Sequence, residues 1–112
     1  MKRLERGWVG HYCLADKCQF RRNTLLDDRI VISTVGACVD GDKYREIGID
    51  RYFETMAFYA EDTEYRDADV QQEIGMLKRL DGPIQWTSDM QANEMHEDAV
   101  NEIIARIESG EL

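Results

Sequence analysis

The most regular pattern in the chain lies near its C-terminal end, where Met95, Ala99, Val100, Ile103, Ile104 and Ile107 recur at steps of three and four. That spacing lines apolar side chains along one stripe of a helix. Ser88 or Asp89 can cap its start, and Gly110 ends it. Upstream, the period changes to two. Arg29-Ile30-Val31-Ile32-Ser33-Thr34-Val35, followed by Gly36, is filled with β-branched residues and predicts a strand at the centre of a sheet. Trp8, Gly10, Tyr12 and Leu14 alternate with Val9, His11 and Cys13, which predicts another strand, and Gln19 to Leu26 a further extended segment. Tyr52 to Ala60 has apolar residues on both alternating faces and is assigned as a strand, with Val70 to Ile74 pairing back as a short one after an acidic loop from Glu61 to Asp69.

Asp40-Gly41-Asp42-Lys43 supplies a polar turn, and Asp81-Gly82-Pro83 is the sharpest punctuation, placed just ahead of the helix. The predicted fold class is α+β: an antiparallel sheet of about four to five strands with the C-terminal amphipathic helix packed on one face. One domain over residues 1–112 is the expected organisation, since 112 residues with 43% hydrophobic content can bury one sizeable core. No linker, internal repeat or low-complexity run divides the chain.

Charge changes the picture more than any motif. The formal net charge is −9, which opposes sequence-independent attraction to DNA, RNA or an anionic membrane. Residues 1–34 hold seven Lys or Arg against four acids, a net +3, so the remainder carries −12. From Trp86 onward Asp89, Glu94, Glu97, Asp98, Glu102, Glu108 and Glu111 face a single Arg106. Glu94, Glu97, Asp98, Glu102 and Glu108 lie off the apolar stripe and, with Glu61, Asp62 and Glu64 of the acidic loop, are the candidate partner-binding residues. Solubility alone is the competing explanation for such a surplus.

Chemistry-bearing residues are few. His11, Cys13 and Cys18 form His-x-Cys-x4-Cys, ligand types that zinc favours but at a non-standard spacing, with Cys38 or His96 as a fourth ligand. The competing reading is buried free thiols, which suits the reducing cytosol expected of a chain whose N-terminus shows no apolar leader. A thiol nucleophile with His11 or His96 as base lacks any flanking signature. The 61–69 loop lacks the ligand order and central glycine of an EF-hand, and no phosphate-cradling glycine loop occurs. No cofactor and no catalytic residue are assigned. Arg21 and Arg22, near Lys17 and Arg29, either meet an external anion or pair internally with Asp and Glu.

Gly7-Trp8-Val9-Gly10-His11, then Cys18-Gln19-Phe20-Arg21-Arg22-Asn23-Thr24-Leu25-Leu26, Ile30 to Gly36, and Tyr52-Phe53-Glu54-Thr55-Met56-Ala57-Phe58 resemble a group of small uncharacterised phage and prophage proteins. The resemblance implies a genomic setting and brings no site residues. Small acidic phage proteins often block a host nucleic-acid-binding machine, as anti-CRISPR and anti-restriction proteins do, by DNA mimicry with carboxylates. The expectation is therefore a non-enzymatic inhibitor in the host cytoplasm, with a basic host protein or nucleoprotein complex as partner and no direct nucleic-acid or membrane binding. Two alternatives stand beside it: a small metal- or thiol-dependent enzyme centred on His11, Cys13 and Cys18, and a homo-oligomeric structural or assembly protein, a homodimer among its forms, that packs Trp8, Trp86 and apolar strand faces across subunits.

Overall fold

The computed structural model describes residues 1–6, 11 and 17–112. Among the described residues six strands, β1 (Arg3–Glu5), β2 (Cys18–Leu26), β3 (Ile30–Asp40), β4 (Lys43–Tyr44), β5 (Arg51–Ala60) and β6 (Ala68–Asp81), precede one helix, α1 (Ser88–Glu108). The sheet runs β1-β2-β3-β5-β6 with every pair antiparallel, and β4 turns back on the end of β3. An antiparallel sheet covered by a C-terminal helix is the α+β arrangement that the patterning predicts. No helix among the described residues is long and apolar enough to cross a membrane.

β3 is the middle strand, between β2 and β5. Residues 30–38 are all buried, and a run of β-branched side chains tolerates that environment. Toward the helix, Leu26, Ile30, Ile32 and Ala57 pack against Ala99, Val100 and Ile103. Ala37 and Phe53 pack against Ala92 and Met95 nearer the helix start. The stripe Met95, Ala99, Val100 and Ile103 is thus the buried face of α1, with Ile104 and Ile107 at its margin.

Gly36 does not end β3, as its position after Val35 suggests it should. A Cβ there would stand 2.0 Å from Cδ2 of Phe53, so the glycine serves close approach of the ring, and the strand continues to Asp40. Ala37 then takes a positive φ of 52°, and strict alternation breaks: Ala37 joins Phe53, while Cys38 joins Val35.

β6 differs most from expectation, with 14 residues in place of the short segment 70–74. Its pairing with β5 shifts register repeatedly, and Gly75 sits at φ +152°. Bulges destroy the two-residue period by which a strand is read from sequence, and the charged stretch around Lys78 and Arg79 protects an exposed edge. Asp69 consequently belongs to β6, and the acidic loop closes at Asp67. At the helix start Ser88 is the first helical residue, and its Oγ accepts the Gln85 N–H at 2.8 Å. Thr87 occupies the cap position without a side-chain bond. Gly110, at φ +84°, follows the last turn as expected. The strand expected from Trp8 to Leu14 lies outside the described residues except for His11, whereas β1 was hidden by its brevity and charge.

Candidate functional site

The predicted acidic surface centres on α1, and the structure divides it into two flanks with different chemistry. On the flank beside β1 and β2, Glu97 is gripped by two arginines. Arg3 donates from Nη1 and Nη2 to its two oxygens at 2.9 and 2.6 Å, and Arg22 Nη2 donates to the same carboxylate. Glu5 closes the cluster, receiving Arg3 Nη2 at 2.8 Å and Arg22 Nη2 at 3.2 Å. The register Glu5↔Thr24 places these groups together. The Arg3 hydrogen bonds pull the Glu97 carboxyl down to about 2, with Arg22 reinforcing them against burial, and Arg3 is raised in return, chiefly by Glu97. Burial alone would raise the Glu5 carboxyl, yet Arg3, Thr24 and Arg22 together hold it below its ordinary value.

Beneath this cluster lies His96, fully buried, with Nε2 2.7 Å from Thr24 Oγ1 and Nδ1 2.7 Å from Thr34 Oγ1. The chemistry of the chain fixes its direction. The Glu5 carboxylate only accepts, so Thr24, 3.0 Å away, spends its single hydroxyl proton there. Thr24 Oγ1 must then accept from His96 Nε2–H, which leaves Nδ1 to accept the Thr34 hydroxyl. Thr34 in turn accepts from Thr55 at 2.6 Å. A neutral imidazole suits this arrangement, and burial, aided by Arg22, pushes the His96 pKa down to about 4.

The opposite flank of α1 has no such partners. Glu94, Asp98 and Glu102 are exposed and follow one another at steps of four, and none makes an ion pair among the described residues. Lys78 and Arg79 of β6 line the groove shared with Glu94 and Asp98, but Arg79 pairs with Asp81 at 3.1 Å instead. Continuing the same row backward reaches Met90, 59% exposed, and Trp86, 91% exposed and just ahead of the helix. Two large apolar side chains therefore head a row of three unpaired carboxylates. Glu108 is exposed near the helix end.

The loop acids form a separate group. Asp62 and Glu64 are exposed and Glu61 half-buried in the turn after β5, and Asp62 lies 3.6 Å from Arg66. Phe53, beside the first half of α1, and Ala60, at the loop, are separated along β5 by roughly 23 Å at ordinary strand rise. Glu61, Asp62 and Glu64 are thus not assembled with Glu94 and Asp98.

His11 lies on the other face of the sheet. Its Nδ1 is 2.8 Å from Ser33 Oγ, its Nε2 3.2 Å from Glu54 Oε1, and its ring packs 5.4 Å from that of Phe58. Burial would raise the Glu54 carboxyl, but His11 and Arg51, the latter at 2.9 Å, outweigh it and hold it low. Ser33 is fully buried within β3. Both ring nitrogens of His11, like those of His96, are already engaged. Cys18 and Cys38 are buried free thiols, and Cys13 lies outside the described residues. Among the described residues no group of three or more His, Cys, Asp or Glu side chains is placed to hold a metal ion.

Sequence reading did not single out Arg3, Glu5, Thr24 and Thr34, because their meeting depends on the pairing of a three-residue strand. The apolar head of the free row was readable, since Trp86, Met90 and Glu94 are spaced by four. No protein-family model matches the chain, and neither the curated proteins nor the solved structures give a significant match.

Proposed function

We propose that the protein is a non-enzymatic binding protein that docks the row Trp86, Met90, Glu94, Asp98 and Glu102 onto a basic, nucleic-acid-binding host protein. The observation that carries this reading is that Glu94, Asp98 and Glu102 make no ion pair among the described residues, although Lys78 and Arg79 line the groove that Glu94 and Asp98 border. Like charges four residues apart on a helix destabilise it by about 0.2–0.5 kcal/mol per pair, and Glu94–Asp98 and Asp98–Glu102 are two such pairs left unrelieved. A fold that pairs Glu97 with two arginines yet leaves Glu94, Asp98 and Glu102 exposed and outside any ion pair among the described residues presents those carboxylates to an external cation. Arginine and lysine side chains of a surface that otherwise holds phosphates are the complementary chemistry. Trp86 and Met90 add apolar contact at one end, the kind of anchor on which interface energy concentrates. A second copy meeting this row with its own is a poor occupant, because such a two-fold contact would set like charges against one another.

Given the resemblance to phage and prophage proteins, the partner we propose is a host defence complex of the CRISPR or restriction type. The test compares affinity capture by the wild-type chain, by a Glu94→Lys/Asp98→Lys/Glu102→Lys variant and by Trp86→Ala. The expected result is a basic nucleic-acid-binding protein retained by the wild type, released by added DNA, lost with the charge-reversed row and weakened by Trp86→Ala. Equal retention by all three forms removes the row from the interface.

A further inference from the structure

Cys18 and Cys38 are direct partners in the antiparallel register of β2 and β3, and both are buried in one small cluster with Val35, with Ile47 packed against it. Residues directly opposite in such a pair have Cα atoms about 4.5–5.5 Å apart, within the span of roughly 4.4–6.8 Å that a disulfide bridges. The thiols are free in this structure. We propose that Cys18 and Cys38 form a redox modification site, a cross-strand dithiol that closes to a disulfide by exchange with a low-molecular-weight disulfide such as glutathione disulfide.

The balance is complete with that oxidant. One protein thiol loses its proton to solvent and attacks a sulfur of glutathione disulfide, which breaks the S–S bond, forms a mixed disulfide and expels one glutathione thiolate. The second protein thiol, likewise deprotonated, attacks the protein sulfur of the mixed disulfide and expels the second glutathione. The two released thiolates take up two protons, so the dithiol is oxidised by two electrons and the small disulfide is reduced to two thiols.

Position explains how buried sulfurs come into reach. Cys18 is the first residue of β2, and Cys38 lies two residues from the end of β3. That end is held by the exposed two-residue strand β4 and by the Arg45 N–H on the Cys38 carbonyl, and local opening of such a short pairing exposes the sulfurs. In the closed state burial, reinforced by the adjacent Cys38, pushes the Cys18 thiol up to about 12, so the reaction runs through the opened end and the reduced form persists in a reducing medium. Once formed, the bond ties the start of β2 to the end of β3, beside the Phe20–Phe53 edge contact that supports the first half of α1.

The experiment exposes the folded, reduced chain to glutathione disulfide, quenches in acid, counts thiols after unfolding and maps tryptic peptides. The expected result is a fall from three thiols to one, with the peptide Cys18–Arg21 linked to Ile30–Lys43 and both released by a dithiol reductant. Cys13→Ser should close at the wild-type rate, and Cys18→Ser or Cys38→Ser should not close. Three thiols persisting, a stable glutathione adduct, or a bond that includes Cys13 would each overturn the assignment. The wild-type map decides the matter even if a serine variant folds poorly.

Discussion

Glu97 and Asp98 are adjacent in the chain, carry the same charge and sit on the same helix, yet they have opposite circumstances. Glu97 turns toward β1 and β2, where Arg3 and Arg22 engage both of its oxygens. Asp98, about 100° further round the helix, borders an open groove with no ion pair among the described residues. The first carboxylate is spent on holding the helix to the sheet, and the second remains available. A count of formal charge along a helix therefore overstates the surface offered to a partner, and the strand register decides how much to subtract.

The tied flank can be broken most severely at its base. His96→Ala should destabilise the fold by about 3–4 kcal/mol, because it leaves a cavity and two buried threonine hydroxyls without their partner. Urea denaturation measures it, and a loss under about 1 kcal/mol would mean that the histidine is a passenger in the network.

Acid gives the next largest effect. The unfolded chain takes up the His96 proton near pH 6.5 but the folded chain only near 4, so the associated stability is intact above 6.5, declines as pH falls toward 4, and is lost below it. Its size is on the order of 3 kcal/mol. Glu97, lowered from 4.5 to about 2, extends the decline from 4.5 downward. Denaturation midpoints between pH 7 and 4 should show this slope in the wild type and a much smaller one in His96→Gln.

The smallest effect is the most direct contrast between the flanks. Glu97→Gln should cost about 1–2 kcal/mol, allowing for the partial exposure of the carboxylate. Neutralising Glu94, Asp98 and Glu102 together should leave stability unchanged or raise it by up to about 1 kcal/mol through relief of like-charge pairs. If the triple neutralisation proves as costly as Glu97→Gln, the two flanks are not different in kind.

How much of this was readable in advance depends on how local each determinant is. The helix stripe, the β3 run and the Tyr52–Ala60 strand follow from periodicity within about ten residues, and each appears where that periodicity places it. Of β6 only the segment Val70 to Ile74 was read, because its bulges shift the alternation, and β1 escaped because three residues carry no periodic signal. The same rule divides the candidate site. The row from Met90 to Glu102 is a repeat of four within one helix, with Trp86 one further step back in the preceding turn, and could be traced directly. The grip of Arg3 and Arg22 on Glu97 spans 94 and 75 residues, and nothing short of the sheet order reveals it.

The bare backbone at Gly36 has a consequence for how this sequence can drift. Any side chain there collides with the Phe53 ring, and Phe53 is itself fully buried against Ala37, Ala92 and Met95. Relief requires a smaller residue at 53 at the same time, which would in turn open a void under the helix. The two sites form a single heritable unit, so sequences descended from a common ancestor with this chain should keep or exchange the pair together.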